Sequence, residues 1–191
     1  MQTPKETLVR YLQTGRDAMV WKLDGLTERQ IRWPMTPTGT NLLGLVKHLA
    51  SVELGYFGDC FGRPSVIEQP WFADDAEPNA DLWATEEESR EDIVGLYQAA
   101  WAHAAKTFEE LDLDAEGEVP WWPEDRRRVT LHQLLVHMTA ETHRHAGHAD
   151  IVRELTDGAV GMRADNSNLP DEVDWESYVA RLRASAESFD D

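Results

Sequence analysis

Between residues 93 and 111 the side chains Ile93, Leu96, Tyr97, Ala100, Trp101, Ala104, Phe108 and Leu111 recur at steps of three and four. A helix with 3.6 residues per turn gathers them onto one face, whereas a strand would scatter them over both sides. A face that wide and apolar has to be covered by neighbouring elements. No stretch of the chain shows the alternation of a half-buried strand, so the expected partners are other helices.

The sequence supplies them. Thr3, Pro4 and Glu6 combine a cap, a proline at the first helical position and a capping-box glutamate. Leu8, Tyr11, Leu12, Met19 and Leu23 follow at helical spacing, and Gly25 offers a stop. The segment WPMTPTGT reads as a loop because its two prolines interrupt regular structure. A second helix is predicted from about Asn41 to Cys60, with Leu42, Leu45, Val46, Leu49 and Tyr56 as its stripe.

The segment from 61 to 84 is rich in proline and acid, with Trp71, Phe72 and Trp83. It reads as a long loop whose bulky aromatics pack down onto the helices. Thr85 and Glu88 are expected to cap the helix that carries the 93–111 stripe. After the loop VPWWPEDRRR, Thr130 is a cap for a fourth long helix running to about Leu155, before Asp157-Gly158. A shorter helix is expected from Asp174 to about Phe189, carrying Trp175, Tyr178, Val179 and Leu182. The expected fold is all-α: one domain over 1–191, a four-helix bundle with an additional short C-terminal helix.

The 191 residues suffice for one sizeable core. With 18 basic and 36 acidic residues the formal charge is −18. That acidity argues against nucleic acid or an anionic membrane as partner, since both select basic surfaces. Cys60 is the only cysteine, so an intrachain disulfide is excluded and a reducing compartment is expected. The N-terminus does not read as a signal peptide, and no apolar run is long enough to span a bilayer. The expected location is cytoplasmic, and a bundle of this size with an extra helix is compatible with a homodimer.

The stretch ETHRHAGHADIVRE, residues 141–154, crowds histidines and acids onto the fourth helix. At 100° per residue, with Glu141 at zero, His145 falls near +40°, His148 near −20° and His137 near −40°. His132, His143 and Asp150 fall on the opposite side. Glu141 and His145 stand one turn apart, close enough to reach a common ion. A third donor must come from another helix, and His48 is the only histidine on the second. Gly44, Ser51 and Gly55 beside it leave room.

Two histidines and a carboxylate with an open position form a donor set for catalytic zinc, and they also suit other first-row divalent metals. The same spacing suits an ordinary hydrogen-bonded Glu–His pair, and His137 or His148 satisfying a core hydrogen bond is the plainer assignment for those two. His103 is expected to face solvent, and Cys60 to be a buried spectator thiol. Most of the tryptophans read as core and loop anchors, with substrate stacking a minor option for Trp33, Trp71 or Trp121. His-Glu-x-x-His, Glu-x-x-His, Gly-x-Ser-x-Gly and a phosphate-binding glycine loop are all absent.

Two blocks carry a resemblance. TNLLGLVKHLASVE (40–53) and VTLHQLLVHMTAETHRHAGHADIVRELTDGAVG (129–161) resemble, in order and spacing, the DinB superfamily of metal-binding four-helix bundles. The nearer likeness is to its actinobacterial branch related to mycothiol-dependent enzymes, of the maleylpyruvate isomerase and mycothiol S-transferase types. RHAGHADIVRELTDG is the most specific part.

The resemblance implies one divalent metal, zinc foremost with nickel or iron as alternatives, held by His48, Glu141 and His145. It also implies mycothiol or a similar thiol as cofactor and an electrophilic small molecule as substrate, in a thiol transfer or a thiol-dependent isomerisation. His148 or His137 is then a candidate proton relay, and Arg144 a candidate partner for a substrate carboxylate. A metal-dependent hydrolase using bound water and a non-catalytic metal-binding stress-response protein are the rival readings.

Overall fold

The computed structural model describes residues 2–189. Helix α1 spans Pro4–Trp21, α2 Glu28–Arg32, α3 Leu42–Phe57, α4 Arg90–Glu110, α5 Leu131–Asp157 and α6 Trp175–Ala186. Helix α3 packs against α4 and α5, and α1 packs along α5, so the four long helices form a bundle. The fold is therefore the expected helical one with a C-terminal helix added. Among the described residues no helix is long and apolar enough to cross a membrane.

The caps explain most boundaries. Thr3 and Glu6 form a complete capping box on α1 with Pro4 in its first turn. The Asn41 side chain accepts the Gly44 N–H at 2.7 Å and opens α3. Gly158 sits in the left-handed conformation (φ 80°) and closes α5 two residues past the expected end.

Several further details differ from expectation, among them the end of α6, which stops at Ala186 and not near Phe189. Residues 28–32 form the short α2, whose Thr27 and Gln30 make a capping box of their own. Helix α3 ends at Phe57 and not Cys60, because Gly58 breaks it into a 3-10 turn, Asp59–Phe61. The box that opens α4 is Ser89 with Asp92 rather than Thr85 with Glu88. The Glu88 carboxylate instead accepts the Thr85 N–H at 2.7 Å and pairs with buried Lys47 at 2.8 Å. Finally, two strands do exist: β1 (Glu116–Glu118) and β2 (Arg128–Thr130) form an antiparallel ribbon. At three residues each they are too short to show an alternating pattern.

The core has two parts. Met19, Leu43, Val46, Leu49, Ile93 and Ala149 form one cluster, and Leu12, Phe57, Phe108, Leu131, Leu134 and Met138 another. Between Leu12 and Met19 on α1 lies Arg16, buried and ion-paired with buried Glu53 of α3. Buried Tyr97 and Thr142 belong to the same level, with Arg16 also over the Trp101 ring at 5.7 Å. A polar layer thus crosses all four long helices.

The loop after α3 packs down as expected. Trp71 donates its Nε1–H to Ser51 Oγ at 2.9 Å and lies 4.3 Å from Lys47 Nζ across its ring. Near Gly44 the Leu82 carbonyl occupies the space a Cβ would need, so this loop rests directly on the α3 backbone.

Candidate metal centre

Helix α3 is buried along nearly its whole length, and His48 is one of its few half-buried residues. Helix α5 presents Glu141 and His145 toward it from successive turns. Glu141 Oε1 lies 2.9 Å from His145 Nε2 and 3.7 Å from His48 Nε2. The two imidazole rings stand 5.0 Å apart, steeply inclined. One donor atom from each residue falls within 4.8 Å of the others. Donors at about 2.0–2.1 Å from a tetrahedral zinc stand roughly 3.3 Å from one another, so the trio brackets the spacing such an ion requires.

Each histidine is held from behind. His48 Nδ1 meets Asp81 Oδ2 at 2.6 Å, which leaves Nε2 aimed at Glu141. His145 Nδ1 meets His148 Nδ1 at 3.4 Å, with Nε2 again toward Glu141. A carboxylate behind a ligating imidazole fixes its tautomer and ring orientation. Asp81 is absent from the sequence expectations. It belongs to a 3-10 turn in the acidic loop (Ala80–Leu82), where no periodicity marks one aspartate among many.

Charges in the site follow from burial and these contacts. Burial depresses the His145 imidazole pKa, and the neighbouring His48 adds to that effect. The neutral form favoured in this way is the metal-binding form. Burial alone would raise the Glu141 carboxyl; His145, His48 and Arg144 together hold it below the usual range. Asp81 behaves likewise, its burial outweighed by His48.

The other expected site residues lie as follows. His148 is exposed beside His145. Arg144, also exposed, reaches within 3.9 Å of Glu141 Oε2. His137 stands apart from the trio, edge-on to Tyr56 and Trp122 at 4.9 and 5.1 Å, and burial lowers its pKa. On the opposite face, His132 is exposed, His143 donates to the Tyr11 carbonyl at 3.0 Å, and Asp150 pairs with Lys22 at 2.6 Å. His103 is not solvent-facing: it is half-buried and hydrogen-bonded to the Arg63 carbonyl at 2.8 Å, because the loop folds back over α4. Cys60 is buried, and that burial pushes its thiol pKa up to about 12.

A cavity of about 540 Å³ reaches the trio at His48, the one member of it in the lining. His48 and Asp81 line it together with Ser51 and Gly55, whose small side chains leave it room. Trp121 and Tyr56 also line it, their rings 5.3 Å apart. The indole N–H groups of Trp121 and Trp122 both point at the Tyr56 hydroxyl, at 3.4 and 3.1 Å.

Residues 7–158 match the family model described as mycothiol-S-transferase. The chain belongs to that family. Among curated proteins none matches it. The mycothiol-S-transferase match ends at Gly158, the residue that closes α5, so it takes in the trio, Asp81 and the cavity and leaves α6 outside.

Proposed function

We propose that this chain is a metal-dependent transferase that joins a low-molecular-weight thiol of the mycothiol type to an electrophilic small molecule. The observation that carries the reading is the convergence of two Nε2 atoms on Glu141 beside an open cavity. Family membership supplies the thiol chemistry. The chain's only thiol is buried and protonated at neutral pH, so the reacting sulfur has to come from a second molecule.

His48, Glu141 and His145 would hold the ion, most simply zinc. Bound there, the metal supplies the Lewis acidity that keeps a thiol ionised at neutral pH. Asp81 accepts the His48 Nδ1–H, so that ring offers Nε2 without rotating. His148, exposed and in contact with the outward Nδ1 of His145, would be the relay that carries the thiol proton to solvent. Arg144 offsets the Glu141 charge from the exposed side, and His137 braces the aromatic wall. The sulfur lone pair forms a bond to the electrophilic carbon while a leaving group departs with its electron pair. For an activated alkene, the displaced π pair instead takes up a proton.

Purified protein is expected to carry about one divalent metal per chain by elemental analysis, and His48→Ala and His145→Ala to lose it. The metal-loaded protein is expected to consume mycothiol in the presence of monochlorobimane. Thiol loss no faster than the uncatalysed reaction would defeat the proposal, and turnover of esters or amides without thiol would move the assignment to water activation.

A further inference from the structure

The cavity beside the trio has a one-sided chemistry. Its lining includes no lysine or arginine. The nearest buried cation, Lys47, is committed to Glu88 and to the Trp83 carbonyl at 3.1 Å. What the walls present instead is acceptor oxygen: the carboxylates of Asp59 and Asp81, and the Gln69 side chain. Gln69 Oε1 is buried without a hydrogen-bond partner. An unpaired buried acceptor is costly and favours a ligand that donates to it.

The remaining surface is flat and apolar. Val52, Phe72, Tyr56 and Trp121 supply it, and Gly55 lets the Trp121 ring edge come close, since a Cβ there would sit 3.2 Å from Trp121 Cη2. Asp59 is exposed at the rim, where partial burial raises its carboxyl pKa. A volume near 540 Å³ accommodates one ring system and a short chain.

We infer that this cavity is the seat of the electrophile, and that it selects flat, apolar molecules bearing a hydrogen-bond donor at the far edge while turning away carboxylates. A substrate carboxylate would face Asp59 with no lysine or arginine in the lining to answer it, since a divalent ion at the trio is already balanced by Glu141 and Asp81, in the field of a chain of net charge −18. Asp59 and Gln69 set the preference for an amide or amine, and the aromatic walls set the shape. This inference rests on the transferase reading for turnover but not for binding, and the two can be separated.

The probes are 4-phenylbut-3-en-2-one carrying a para-carboxamide or a para-carboxylate, each reacted with mycothiol on zinc-loaded protein. Addition forms a carbon–sulfur bond, and the thiol proton ends on the carbon next to the ketone. Each rate is divided by its uncatalysed rate, and binding of the saturated, unreactive ketones is measured by titration calorimetry without thiol. The carboxamide is expected to be favoured roughly tenfold or more in both measurements. Asp59→Lys, at an exposed position, is expected to narrow or reverse the gap, and Asp59→Asn to fall between. Selective binding without turnover would remove the transferase reading and uphold the cavity's selectivity. Turnover that treats both probes alike, or no binding of either ketone, would overturn the selectivity.

Discussion

Single side chains decide whether the trio is a ligand set or only a polar corner, and Asp81 is the most informative of them. Its carboxylate hydrogen-bonds the outward nitrogen of His48 as well as lining the cavity, so its contribution to metal affinity acts through that ring. Asp81→Asn retains an acceptor and is expected to keep most of the metal affinity. Asp81→Ala is expected to lose about 10–100-fold, read by chelator competition and by the visible spectrum of the cobalt-substituted protein. Equal affinity in all three proteins would show that His48 needs no such support. His137 yields a prediction about pH. Burial holds its folded pKa below the usual histidine value near 6.5. As pH falls through that value the unfolded chain takes up the proton first, so stability is full above it and declines toward the folded pKa. The melting temperature of wild type is therefore expected to fall more steeply between about pH 7 and 5.5 than that of His137→Gln; parallel curves would remove the assignment.

The elements hold these side chains in place through contacts that mostly lie outside the helical pattern. Gly44 shows the effect. In an ordinary helix interior, alanine is better than glycine by about 1 kcal/mol. Here the added methyl would run into the Leu82 carbonyl and lift the turn that carries Asp81. Gly44→Ala is thus expected to lower both melting temperature and metal affinity; a rise in either would show that the loop does not rest on α3 as described.

The same contrast explains what the sequence discloses. Glu141, His145 and His48 sit on regular helices, where 100° per residue fixes direction, so their convergence was legible. Asp81, Asp59 and Gln69 lie in turns whose path depends on contacts with distant helices. Only their residue types were readable in advance. The exchange of Thr85–Glu88 for Ser89–Asp92 has a similar origin, since Glu88 keeps the Thr85 N–H but also pairs with Lys47, and nothing local announces that distant contact.

For the molecule as a whole, the buried Arg16–Glu53 pair is the feature with the widest reach, because it ties α1 to α3 between the two apolar clusters. Burial lowers the Arg16 pKa to about 10, which leaves it charged at neutral pH. Removing one partner strands the other charge in the core. Arg16→Met alone is expected to cost about 3–5 kcal/mol in urea unfolding, and the double change Arg16→Met with Glu53→Leu much less. Equal losses in the single and double variants would show that the pair contributes no more than its volume. The loop between α3 and α4 has a further consequence. The helices contribute His48, Glu141 and His145, while that loop brings Asp81, Gln69 and Phe72. On the proposed transferase reading, descendants of this sequence would trade one substrate for another by rewriting a surface segment, provided Asp81 is kept, with the helix-borne trio left unaltered beneath it.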